Sequence, residues 1–338
     1  MPHLETVWFL LIGVLLAGYA ILDGFDLGVG MLHRLVAKSD SERRQVINSV
    51  GPVWDGNEVW LLAGGGALFA AFPRVYATVF SGLYLAMMLL LAALILRAVC
   101  LEFRGKEPGP GWRGTWDVVF GVSSFLPSLL FGVALGNVMR GLPLDADQEF
   151  AGSFIGLLNP FALLVGLLSV ALFLVQGAAW LDLKTDGEVR RRARAWAAGA
   201  WLVLVALWVV ATVVSLVDAH HLWRAFSRPL PWVVPVVLVL ALVEYRFLLQ
   251  RGRAALAFAH SSTAIAALLG IVGLGLYPAL VPALGGGPSL TVANAASSPL
   301  ALTVMLVVAL VGMPIVIGYT LFIYSRFKGR VTLDEHSY

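Results

Sequence analysis

Two short strings hold most of the side chains able to move protons in this 338-residue sequence. Asp23-Gly24-Phe25-Asp26 closes one long apolar stretch, and Trp54-Asp55-Gly56-Asn57-Glu58 opens the next. Each pair of acids is three residues apart, which puts both members on one helix face. A short basic loop with His33, Arg34, Lys38, Arg43 and Arg44 joins the stretches, so the two helices are neighbours and their acidic faces can converge. A carboxylate at lipid depth is costly and marks a functional site by default. Clustered and partly buried acids of this kind exchange protons near neutral pH. A plainer reading stands beside this one: Asp23 or Asp55 caps a helix end, or pairs with Arg34, Arg43 or Arg97. Arg97 is the one cation well inside an apolar stretch, where it must pair or snorkel to the interface. Asp55 or Glu58 is its candidate ion-pair partner. Trp54 and Trp60 flank the second acid pair and read first as interfacial tryptophans; Trp54 is also a candidate contact for a quinone head group or a lipid.

The elements that position these residues follow from composition. Hydrophobic residues make up 59% of the chain and charged residues only 13%, against about 25% charged in soluble domains. The mean hydropathy is +0.87. The chain reads as one polytopic membrane domain over 1–338. Nine segments reach the roughly 20 apolar residues needed to span a bilayer: about 5–32, 50–72, 75–101, 115–140, 155–182, 195–217, 230–249, 255–280 and 298–325. The first has no Lys or Arg before it, unlike a signal peptide, and is expected to stay as a membrane helix. The stretch 281–297, rich in Gly, Pro, Ser and Asn, reads as an irregular surface loop.

Basic residues set the orientation. Of the 23 Lys and Arg residues, 18 fall in alternate connections beginning with the one after the first segment, and four (Arg74, Arg140, Arg224, Arg228) fall in the others. Positive residues favour the cytoplasmic side. The expected topology is therefore N-terminus outside, C-terminus inside, with an odd number of helices. It places Asp23, Asp26, Asp55 and Glu58 at the cytoplasmic ends of the first two helices. The pI of about 9.1 is a topology signal, since no long basic stretch offers a nucleic-acid surface.

Metal and heme ligands are scarce. The lone Cys100 excludes an internal disulfide and cysteine-ligated clusters and reads as a buried apolar residue. Of His3, His33, His220, His221, His260 and His336, only His260 falls within an expected span. It reads as a hydrogen-bonded interior residue rather than a heme ligand. Gly28-Val29-Gly30 lacks the third glycine and the preceding strand of a phosphate-binding loop. Gly13, Gly18 and Gly64-Gly65-Gly66 read as close-packing helix faces.

Asp23-Gly24-Phe25-Asp26-Leu27-Gly28-Val29-Gly30, then Glu42-Arg43-Arg44 and Trp54-Asp55-Gly56-Asn57-Glu58-Val59-Trp60, resemble subunit II of the cytochrome bd-type quinol oxidases. So do Phe131-Gly132-Val133-Ala134-Leu135-Gly136-Asn137, Leu158-Asn159-Pro160-Phe161 and Gln176-Gly177-Ala178. The likeness covers nearly the whole chain and is most specific in its first hundred residues. It implies an all-α integral membrane fold of nine transmembrane helices in bundles. It implies a heterodimer with subunit I, with small accessory subunits as further candidate partners, in a bacterial or archaeal cell membrane. The complex oxidises quinol and reduces dioxygen to water. Heme b and heme d belong to subunit I, and subunit II binds none directly and is not catalytic alone; some members hold a structural quinone. The implied role is a cytoplasmic proton path, with Asp55 at the family's proton-path aspartate and Asp23 and Asp26 beside it. Glu58 stands where some relatives carry Gln, so its part in the path is the least anchored.

Two other readings compete. A proton-coupled secondary transporter would use the acid cluster as its coupling site, but such sites usually lie near mid-membrane on broken helices. A structural scaffold would use the acids only as caps and ion pairs.

Overall fold

A computed structural model describes residues 4–333 of the chain; His3 and His336 lie outside the described residues. Long apolar runs fold as helices because every backbone polar group at lipid depth must be satisfied within its own segment. The helices are α1 (Leu4–Val36), α2 (Asp40–Val50), α3 (Trp54–Ala71), α4 (Pro73–Gly82), α5 (Tyr84–Phe103), α6 (Pro110–Arg140), α7 (Phe154–Leu157), α8 (Pro160–Lys184), α9 (Gly187–Asp218), α10 (Val233–Gln250), α11 (Ala254–Leu276) and α12 (Pro299–Arg326). Among the described residues, α1, α5, α6 and α8 to α12 are long and apolar enough to cross a membrane, and the bent pair α3–α4 makes a ninth candidate. The fold is all-α apart from a small antiparallel hairpin, β1 (Ala279–Val281) with β2 (Leu290–Thr291).

Three boundaries differ from the sequence reading. The expected span 75–101 is two helices: α4 turns by 119° from α3 at Phe72, and α5 starts only at Tyr84. Pro73 disfavours a helical residue before it, and Phe72 adopts φ −134°, ψ 66°. The carbonyls left open at the end of α3 accept from Ser297: Ala71 O from its backbone N–H at 2.8 Å, Ala70 O from its hydroxyl at 2.6 Å. Second, the basic loop after α1 contains α2, started by a capping box in which Ser39 and Glu42 each bond the other's backbone N–H. Third, α1 continues to Val36, so His33 is in a helix and buried, not in a loop.

Helix α1 is central, packing against α3, α6, α8 and α11. Its approach to α8 is set by Gly28 and Gly177. A Cβ on Gly28 would fall 1.9 Å from the Phe173 carbonyl oxygen, and one on Gly177 would fall 2.4 Å from the Gly28 carbonyl carbon. Of the glycines expected at packing faces, Gly18 meets the Trp60 ring, but Gly13, Gly65 and Gly66 face open space. Helix α12 is peripheral, with Leu302 its only buried residue.

Candidate functional site

Charged side chains concentrate at one end of the bundle, where α1 ends, α2 lies, α3 begins and α5 ends. A helix rises about 1.5 Å per residue, so Asp23 and Asp26 lie ~20 and ~15 Å along α1 from Val36. They are well within the helix rather than at its edge, as the sequence reading had placed them. Asp23 and Asp26 are 0% and 2% exposed, and Arg97, from α5, is 1% exposed. Arg97 Nη2 lies 2.7 Å from Asp23 Oδ1 and also pairs with Glu58 Oε1. The arginine is therefore buried between two carboxylates and does not snorkel. Tyr19, one turn before Asp23 on the same helix, is also buried.

Asp26 has different partners. Asn57 Nδ2 donates to Asp26 Oδ2 at 2.7 Å and reaches the Leu22 carbonyl at 3.4 Å. Tyr324 Oη donates to Asn57 Oδ1 at 2.8 Å. Asp26 Oδ1 is buried and has no hydrogen-bond partner among the described residues.

The structure thus joins Asp23, Asp26, Glu58 and Arg97, supplied by α1, α3 and α5, and adds Asn57 and Tyr324. Asp55 stands apart in the first turn of α3, exposed; α3 starts at Trp54 rather than near residue 50, so Asp55 lies at the helix start. Glu58 is between them, with its side chain 25% exposed. From Asp55 through Glu58 and Arg97 to Asp23 and Asp26, the groups run from the surface to the interior. Trp54 is half-buried and packs on the main core.

A second ionic centre was not found from the sequence. His33 Nε2 lies 2.6 Å from Asp117 Oδ1, and both side chains are 0% exposed. Asp117, on α6, also accepts from Arg43 Nη1 at 3.0 Å and Arg104 Nε at 2.6 Å. Arg104 and Arg113 continue the network to Asp40 at 2.8 and 2.7 Å. It binds the ends of α1, α2, α5 and α6 together. The one usable signal is Asp117, a carboxylate just inside the expected span 115–140.

Among the described residues, the remaining histidines are His220, His221 and His260. His260 is half-buried on α11, and its Nδ1 lies 2.8 Å from the Leu256 carbonyl of its own helix. His220 and His221 sit at the opposite end in a 3-10 turn. Burial there lowers the proton affinity of His221. The described residues contain no cluster of three metal-ligating side chains. A large apolar cavity of about 720 Å³ lies among α1, α6, α8, α9, α10 and α11, with Trp223, Phe226 and Trp232 at its far end. Trp54 does not line it, whereas Tyr19 does.

Comparison with known proteins agrees with the architecture. The family described as cytochrome bd terminal oxidase subunit II matches residues 4–327. The chain is 39% identical to the cytochrome bd-I ubiquinol oxidase subunit 2 of Escherichia coli K12, over 98% of this chain and 96% of that protein. It is 35% identical to the cytochrome bd ubiquinol oxidase subunit 2 of Bacillus subtilis 168, over 99% of each. A chain of the solved bd oxidase of Geobacillus thermodenitrificans superposes with a TM-score of 0.79 at 20% identity, covering 96% of this chain and 98% of that one. That likeness bears on the fold; the family match and the identities along the full length bear on membership. The chain belongs to the family of subunit II of the cytochrome bd terminal oxidases.

Proposed function

We propose that this chain is the proton-conducting, heme-free subunit of a quinol oxidase complex in a bacterial cell membrane. Its partner, subunit I, carries heme b and heme d, which pass electrons from quinol to dioxygen when bound there. The observation that carries the reading is the graded series of acids around Arg97. Asp55 takes protons from the aqueous phase, Glu58 receives them beside Arg97, and Asp23 and Asp26 hold them in the interior. Arg97 compensates the carboxylates that would otherwise be stranded at lipid depth. The basic residues crowded at the same end of the bundle favour the cytoplasm as the proton source, with the N-terminus outside.

Among the described residues, His33 is committed to Asp117 and His260 to its own helix, while His220 and His221 stand in a turn at the other end, which supports the reading that subunit I holds the hemes. A structural quinone or lipid suits the apolar cavity, whose volume is in the range of small-molecule sites, better than it suits Trp54. The transporter reading gains no support from the bend at Phe72, which is ~20 Å of helix away from Glu58.

The test is Asp55→Asn in the intact oxidase. Oxygen consumption and proton uptake should slow together while the heme spectra stay unchanged. Wild-type turnover with wild-type proton uptake would remove Asp55 from the path.

A further inference from the structure

While Asp26 is ionised, its neighbours orient Asn57 in one way. Its oxygen accepts from a phenol, which has a proton to give, and its NH₂ faces a carboxylate and a backbone carbonyl, which have none. Tyr324 Oη donates to Asn57 Oδ1 at 2.8 Å, and Asn57 Nδ2 donates to Asp26 Oδ2 at 2.7 Å. The amide thus delivers a donor to one oxygen of Asp26 and leaves Oδ1, buried and unpartnered among the described residues, as the oxygen that can take a proton. Three helices meet in this chain of contacts: α12, α3 and α1.

Tyr324 is also where a loosely packed helix is fastened. With Leu302 as its only buried residue, α12 depends on its ends. At one end Trp8 Nε1 donates to the Leu302 carbonyl at 3.0 Å. At the other, Tyr324 bonds Asn57 and sets its ring against Trp180, centroids 6.1 Å apart. The segment after it is tied down: Lys184 Nζ donates to the Phe327 carbonyl, and Val331 N donates to the Lys184 carbonyl at 2.8 Å.

We propose that Tyr324 is a positioning residue for proton transfer at Asp26, acting through Asn57. The inference rests on the reading of Asp26 as a proton-path group. Without the phenol, nothing holds the Asn57 oxygen away from Asp26 once that carboxyl carries a proton, so the amide can turn to stabilise the protonated acid and the ionised form loses its donor. The titratable and charged groups that face Asp26 are Asp23 on α1, Glu58 on α3, Arg97 on α5 and Tyr324 on α12. Helices α8 and α11 bring only neutral groups to this level of α1: Gln176 bonds the Ile21 carbonyl at 3.2 Å and is held by Ser261 and Ser262.

The experiment compares Tyr324→Phe, Asp26→Asn and the double variant in the intact oxidase, by oxygen consumption across pH and by heme spectra. Tyr324→Phe keeps the ring against Trp180 and removes only the donor. Turnover should fall about two- to tenfold, the loss expected for one hydrogen bond, its pH limb should move to higher pH, and the quinol KM should hold. The double variant should be no slower than Asp26→Asn. Asn57→Ala, which leaves Tyr324 in place, should show the same displaced limb and serves if Tyr324→Phe does not assemble. Wild-type rate and pH limb in Tyr324→Phe, beside a slowed Asp26→Asn, would overturn the inference and leave the path standing. Multiplying losses in the double variant would also overturn it, since Tyr324 would then act elsewhere. Wild-type turnover in Asp26→Asn would remove Asp26 from the path and the inference with it.

Discussion

Arg97 Nη2 lies 2.7 Å from Asp23 Oδ1, and the two side chains are 1% and 0% exposed. The pair joins α5 to α1 inside the bundle, and Glu58 brings in α3 through the same guanidinium nitrogen. Removing one partner of a buried pair leaves an uncompensated charge, which costs more than the pair itself contributes. Arg97→Gln should therefore destabilise the folded subunit by about 3–5 kcal/mol. Asp23→Asn combined with Arg97→Gln should recover part of that loss. The thermal midpoint of the purified complex checks both, and a double variant as unstable as Arg97→Gln alone would refute the coupling.

The His33–Asp117 centre makes a separate prediction. Asp117 accepts from His33, Arg43 and Arg104 within 3.0 Å. Asp117→Asn keeps the shape but leaves Arg104, itself 3% exposed, without its buried counter-charge. A loss of about 3–5 kcal/mol is expected, with heme spectra and turnover per assembled complex unchanged, because the centre binds helix ends and stands apart from the Asp23 cluster. A change in turnover per heme would assign it a part in the reaction.

Much of this was legible because lipid imposes a simple rule. Backbone groups at membrane depth demand long apolar helices, so the spans could be read with small boundary errors, and four acids stood out against them. What escaped the sequence depended on neighbours far along the chain. Asn57 is not titratable, so the motif that contains it points to its acids, and its bond to Tyr324, 267 residues away, is visible only in the fold. His33 and Arg104 lie where hydropathy has already fallen, so they read as loop residues, yet the helices run on and bury them. Nothing around Gly28 in the sequence points to Gly177, because their contact is a fact of helix packing. The break at Phe72 had a local signal in Pro73, but a proline there is equally compatible with an ordinary turn between two spans.

The approach of α1 to α8 sets where Asp23 and Asp26 sit, and it can be tested without touching either acid. A methyl group at Gly28 would meet the Phe173 carbonyl oxygen at 1.9 Å and the Gly177 backbone at 2.8 Å. Backbone cannot swing aside as a side chain can, so α1 and α8 must separate. Gly28→Ala should cost at least the ~1–3 kcal/mol typical of overpacking, read as lower yield of assembled complex and a lower thermal midpoint. Gly13→Ala, at a glycine facing open space, should be close to neutral.

Glu42 gives the pH prediction. Its carboxylate accepts from Arg192 Nη1 at 2.9 Å and from the backbone N–H groups of Lys38 and Ser39 at 2.6 and 3.2 Å. The Arg192 hydrogen bond, helped by those amides, holds its proton affinity below the ordinary glutamate value of 4.5. In the unfolded chain that lowering is lost. A group whose folded pKa is depressed contributes stability above the unfolded value, and the contribution disappears as pH falls through the folded one. The start of α2 and its tie to α9 should therefore be fully formed at neutral pH and weaken below about pH 4.5. The side chain is partly solvated, so screening keeps the effect to a fraction of what a buried pair would show. Glu42→Gln should lower the thermal midpoint of the complex at pH 7 and flatten its fall below about pH 4.5. An unchanged slope on the acid side would mean that Glu42 does not titrate in this window.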